Sequence, residues 1–130
     1  MEEIQTNLGK LEFIDDRIIY IKVKNNLSVT FKDGIEFRNN LLKLTDKKVG
    51  ILVDAMNNKS TASINSIRFF STDKAFNEIC TYQCAITNKI SIRIIANIYL
   101  KFLKNKEKAK VFNNYDDALK WLKKKVKTIG

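Results

Sequence analysis

The run Val49-Gly50-Ile51-Leu52-Val53-Asp54 constrains the fold of this chain more than any other segment. A strand that is apolar at odd and even positions alike buries both faces. Helices laid on either side of a parallel sheet provide that cover. The chain therefore needs helices before and after this strand, joined by right-handed crossovers.

The flanking patterns supply them. Leu11–Ile14 and Arg17–Val23 are rich in β-branched and aromatic residues, and Asp15-Asp16 between them suits a tight turn, so a hairpin is predicted. Thr30 is placed to cap a helix over about 31–44, with Ile35, Leu41, Leu42 and Leu44, and Phe31 and Phe37 beside them, on its apolar face. The polar stretch Asn57–Ser63 leads into a helix over about 61–77 that turns Ile64, Ile67 and Phe70 inward. Cys80–Thr87 reads as a strand with Cys80, Tyr82, Cys84 and Ile86 on one side. Asn88 is placed to cap a helix over 89–104, where Ile94, Ile95, Ile98 and Phe102 oppose the polar stripe Arg93, Asn97, Lys101 and Lys104. Ala109–Phe112 is a brief strand, and Asn114 with Asp117 opens a last helix through Leu119, Leu122 and Val126.

The expected fold class is α/β, in the order β-β-α-β-α-β-α-β-α. It has one mixed, mostly parallel sheet of four or five strands, an N-terminal hairpin and about four helices. No linker, repeat or biased tract divides the chain. Residues 1–130 are therefore expected to form a single domain, with about 9–127 as its ordered core.

The absences narrow the chemistry. There is no His and no Pro, and there are 2 Cys and 4 Gly. Without His there is no Ser-His-Asp or Cys-His pair and no histidine-bearing zinc site. Two thiols cannot complete a four-thiolate site. The glycines lie too far apart for either glycine-rich phosphate cradle. The adjacent pairs Asp15-Asp16 and Asp116-Asp117 fall at a turn and a helix start, which favour Asp for local reasons. No catalytic residue, metal site or cofactor is expected. Cys80 and Cys84, roughly 13 Å apart on an extended chain, read as small buried apolar groups in a reducing compartment. The opening MEEIQTNLGK is acidic and polar, unlike a signal peptide, and the uncharged run Ile79–Asn88 is too short to span a membrane. A cytoplasmic location is expected.

The net charge of +10 comes from 24 basic against 14 acidic residues, and 20 of the basic ones are Lys. Arg, which recognises phosphate and bases bidentately, is scarce. The Lys-rich stretch from Lys101 to Lys127 therefore reads as a solvated face rather than a nucleic-acid surface.

The hairpin, the helix, "VGILVDA" ending the strand at Asp54, and the Ser/Thr-rich loop opening a helix resemble the STAS domain of anti-sigma factor antagonists. The runs "CAITNKISIRIIANIYLKF" and "KVFNNYDDALKWLKKK" resemble a branch of small bacterial STAS-like proteins without assigned activity. The resemblance covers roughly residues 9–127 and implies a regulatory, protein-binding module rather than an enzyme. In STAS regulators a Ser at this helix start is phosphorylated, and Ser63 falls nearest that position. The Asp that precedes that Ser in the regulators is Ala62 here.

Two surfaces are candidates for binding a protein partner. Asp54 sits at the carboxyl end of the central strand, where ligands of open α/β sheets gather. Ser60, Thr61 and Ser63 follow it at a helix start that tolerates an anion. Their local role is to cap orphan amides. The helix around Arg93 and Asn97 is the second surface. The helix over 90–103 has more apolar residues than one buried face needs, with Ile90, Tyr99 and Leu103 flanking the core face. That surplus suits a helix sandwiched on the sheet, a homodimer face, or the roof of a cavity for a lipid or other apolar molecule. Trp121 reads as a packing anchor.

Overall fold

The computed structural model describes residues 2–129. The apolar run forms β5 (Val49–Asp54), flanked in parallel by β3 (Ile18–Lys22) and β7 (Cys80–Ile86). β2 (Lys10–Phe13) pairs antiparallel with β3 as the predicted hairpin, and β8 (Ala109–Phe112) adds in parallel to β7. A further strand, β1 (Glu3–Gln5), extends the sheet to six in the order β1-β2-β3-β5-β7-β8. β1 is therefore the antiparallel edge of the sheet. It carries one apolar residue, Ile4, and so gives no alternation to read. Glu3 stands opposite Glu12, and the Lys10 ammonium lies 3.6 Å from both carboxylates, which offsets their repulsion.

Both faces of the sheet are covered. α5 (Tyr115–Val126) lies on one, where Ala118, Leu122 and Val126 pack on Ile18, Leu52, Cys84 and Ile86. On the other, Phe37, Leu41 and Leu44 of α1 (Phe31–Leu44) meet Leu11, Ile19, Ile21 and Ile51. The predicted capping of α1 holds, with Thr30 Oγ1 accepting from the Asp33 amide and the Asp33 carboxylate accepting from the Thr30 amide. The cap of α5 also holds, since Asn114 Oδ1 accepts from the Asp117 amide.

The predicted helix over 61–77 is divided. Thr61–Ala62 is a short strand, β6, paired in parallel with β4 (Ser28–Val29) in a second sheet of two strands. α2 (Ile64–Thr72) then stops at Asp73, whose side chain caps α3 (Lys74–Ile79). Arg38 of α1 holds that carboxylate at 2.8 Å. The sequence contains no breaker here, because Asp73 redirects the chain through its cap and its ion pair.

The predicted facing of β7 also needs correction. The register shifts between Val49 and Gly50, which pair with Cys80 and Tyr82. The extra residue turns Cys80 toward α1, while Cys84 and Ile86 face α5.

α4 (Ile90–Phe102) is the least embedded long helix, with no fully buried residue. Lys89 stands at its N-cap with no side-chain bond. Asn88, predicted to cap it, instead exchanges two 2.8 Å hydrogen bonds with Asn57. That pair ties together the loops that follow β5 and β7.

Candidate functional site

Asp54 closes β5 on the α5 side. Its Oδ2 accepts a 2.5 Å hydrogen bond from the Tyr20 hydroxyl, and its Oδ1 accepts from the Met56 amide at 3.1 Å. Burial, with the carboxylate next to it, pushes the Tyr20 phenol above the ordinary tyrosine range. The Tyr20 ring packs edge-on against Tyr115, the first residue of α5.

The hydroxyl residues lie elsewhere. Ser60 is buried; its Oγ accepts from the Leu27 amide at 2.9 Å and donates to the Lys24 carbonyl at 3.1 Å. This corrects the expectation that Ser60 offers its hydroxyl to a partner. Thr61, on β6, and Ser63, the N-cap of α2, are exposed. Ser63 Oγ accepts from the Ser66 amide at 3.1 Å, the capping role that the sequence allowed. The four residues thus form no single cluster. On α4, Arg93 and Asn97 are exposed as expected, beside Ile90 and Ile94, which are 79% and 53% exposed.

The helix is rotated from its predicted setting, and the consequence is a cavity. Ile92, Ile95, Ala96, Tyr99 and Leu100 turn toward the sheet, while Ile94 points away. Between α4 and the sheet lies a space of about 220 Å³. Ile51, Val53 and Ala85 form part of its floor, and Ile67 and Phe70 of α2 line it too. An apolar cavity of about 150 Å³ is large enough to admit benzene. Ala62, Ala85, Ala96 and Ala109, all small, are among the residues that line it and leave the space unfilled.

One polar pair enters this lining. The Tyr99 hydroxyl of α4 donates to Gln83 Oε1 of β7 at 2.9 Å, and burial raises the Tyr99 phenol well above its usual range. Sequence reasoning placed Tyr99 only at the flank of the core face and missed Gln83 altogether. The available signal was the face of β7 opposite Cys84 and Ile86, where Gln83 and Ala85 are too polar and too small to fill the space under an isoleucine-rich helix.

The thiols play no part in this space. Cys80 and Cys84 are buried, and burial pushes the Cys80 thiol up to about 12. Among the described residues no three His, Cys, Asp or Glu side chains gather as metal ligands, and no helix is long and apolar enough to cross a membrane.

A family model described as a domain of unknown function, DUF7793, matches residues 12–126. Among solved structures, the chain is similar to an uncharacterised protein of the DUF3478 family with a SpoIIAA-like fold from Shewanella loihica PV-4. The two are 15% identical with a TM-score of 0.55, over 86% of this chain and 90% of that one. No curated protein matches the chain in sequence. The fold is thus SpoIIAA-like, that is STAS-like, as the resemblance implied.

Proposed function

The chain belongs to the DUF7793 family, and we propose that it is a non-catalytic cytoplasmic binding module whose cargo is an apolar small molecule held beneath α4. The observation that carries this reading is the cavity of about 220 Å³, whose lining is mostly aliphatic and aromatic side chains. Ligand sites are characteristically concave and apolar with a few placed polar groups, and Tyr99 with Gln83 is such a group. The roof favours exchange of cargo. α4 has neither a fully buried residue nor a side-chain cap, so moving it sacrifices less packing than moving α1 or α5.

The test is a titration of the protein with toluene, followed by amide chemical shifts. Saturable shifts confined to α4, β7 and α2 are expected, and Ala96→Phe, which fills the space from the roof, should remove them. Shifts that never saturate, or that survive in Ala96→Phe, would end the cavity reading.

A second reading, a contact surface for a protein partner, has its own observation. Ile90 and Ile94 are exposed on the same helix as Arg93 and Asn97. In this reading Thr61 and Ser63 supply exposed hydroxyls at the start of α2, and phosphate on either would act as the switch. A photo-crosslinker at position 94, activated in host cells, should capture one protein of discrete mass. A diffuse smear or no adduct would remove this reading.

A further inference from the structure

We propose that the cavity selects an uncharged, medium-length molecule carrying one oxygen, which accepts a hydrogen bond from the Gln83 side-chain amide. The inference rests on the cavity reading above and names its ligand class.

Apart from the exposed Thr61, whose hydroxyl meets no partner among the described residues, the polar side chains of the lining other than Gln83 and Lys110 are spoken for. Asn58 Nδ2 donates to the Val23 and Lys24 carbonyls, both at 3.0 Å, and its Oδ1 accepts from the Ser60 amide at 2.8 Å. Ser60 is saturated as described, and Ser66 Oγ donates to the Ser63 carbonyl at 2.8 Å. Gln83 differs. Its Oε1 accepts from Tyr99, but its Nε2 donates to no group among the described residues. Tyr99 thereby fixes the amide and leaves two N–H donors unused beside apolar walls. A donor left unpaired in such surroundings is costly, and a ligand oxygen relieves that cost.

Charge is excluded by the same lining. Lys110 is its one ionisable cation, and its ammonium lies 5.4 Å from the ring of Phe112, which packs on Trp121 on the α5 side. Lys108 spends its ammonium on Asn77, with Nζ–Oδ1 at 2.6 Å. No positive group is free to neutralise a carboxylate in the cavity, so burying one there is strongly disfavoured. Size follows by proportion. If about 150 Å³ holds the six carbons of benzene, about 220 Å³ holds roughly nine.

The test compares 1-octanol, sodium octanoate and toluene at neutral pH, by amide-shift titration of the parent chain, Gln83→Leu and Gln83→Met. In the parent, octanol should bind at least about tenfold tighter than octanoate. Both substitutions should weaken octanol about fivefold and leave toluene unchanged. The ratio within each protein is the readout, so a variant that is merely less stable still reports. Octanoate binding as tightly as octanol, or an octanol-to-toluene ratio unaltered by both substitutions, would overturn this selectivity with the cavity intact. Failure of octanol and toluene alike to bind the parent would remove the cavity reading, and this inference with it.

Discussion

Gly50 lies directly beneath Leu122: a Cβ built on Gly50 would sit 2.7 Å from Leu122 Cδ1 and 2.7 Å from Val126 Cγ1. The backbone of the central strand is the floor on which α5 rests. Gly50→Ala should push α5 outward and destabilise the fold by about 1–3 kcal/mol. A urea midpoint unchanged from the parent would show that α5 yields freely, contrary to the packing of two fully buried residues, Ala118 and Leu122.

The Tyr20–Asp54 bond makes a prediction at high pH. Burial, then the Asp54 carboxylate, raises the Tyr20 phenol above its unfolded value of 10.0. A raised folded pKa means that the contribution is complete below the unfolded value and is lost as pH climbs beyond it. In the folded protein, Tyr20→Phe should therefore leave the rise in absorbance at 295 nm between pH 9 and 11 unchanged (about one pH unit either side of the ordinary phenol value). A smaller rise in the variant would mean that Tyr20 ionises freely and the bond is weak. The same variant should lose about 1 kcal/mol of stability at pH 7.

The cysteines extend the same logic. Burial raises the Cys80 thiol from 9.0 to about 12 and drives Cys84 in the same direction. Below pH 9 the stability held by the protonated thiol is complete, and it declines as pH rises toward 12. At pH 8 both thiols should resist an aromatic disulfide reagent in the native protein and react fully in denaturant. Rapid native labelling of either would contradict their burial.

Much of this architecture was legible from patterns that depend on near neighbours. Thr30 with Asp33 and Asn114 with Asp117 are local capping pairs, and each forms as read. The central strand was legible because covering both faces leaves few options. Features set by distant partners were hidden. Asp73 caps α3 through the nearby Phe76 amide, but the Arg38 guanidinium that holds the same carboxylate is 35 residues away in sequence. Asn88 forgoes its cap because Asn57 offers two hydrogen bonds. The setting of α4 depends on the inward turn of Tyr99 toward Gln83, across 16 residues, which helical periodicity cannot see. A cavity under this helix was one of the readings that the surplus of isoleucine allowed, but which side chains line it follows from that rotation and was not readable.

Asp73 can be separated into its two roles. Its Oδ2 accepts from the Phe76 amide at 2.9 Å as a cap, and its Oδ1 takes the Arg38 guanidinium at 2.8 Å in a mostly covered setting. Asp73→Ala removes both and should cost about 2–3 kcal/mol. Asp73→Asn retains a cap and loses the ion pair, so about 1 kcal/mol is expected, with less dependence on salt than the parent shows. Equal losses in the two variants would assign the whole effect to the ion pair.

The roof helix supplies the last prediction, because it is the least embedded wall of the cavity. α5 buries Ala118, Leu122 and Val126, whereas α4 buries no residue fully and begins at an uncapped Lys89. Local opening should therefore release α4 before the sheet or α5, and amides of 93–101 should exchange with deuterium at least about tenfold faster than those of 118–126. Lys89 has the extended backbone that an N-cap requires, at φ −110° and ψ 130°. Lys89→Ser should supply the missing cap, stabilise α4 by about 0.5–1 kcal/mol and slow its exchange selectively. If α4 is the gate, the same substitution slows the uptake and release of octanol together and leaves its affinity nearly unchanged. Slower exchange with unaltered octanol kinetics would place the route into the cavity elsewhere.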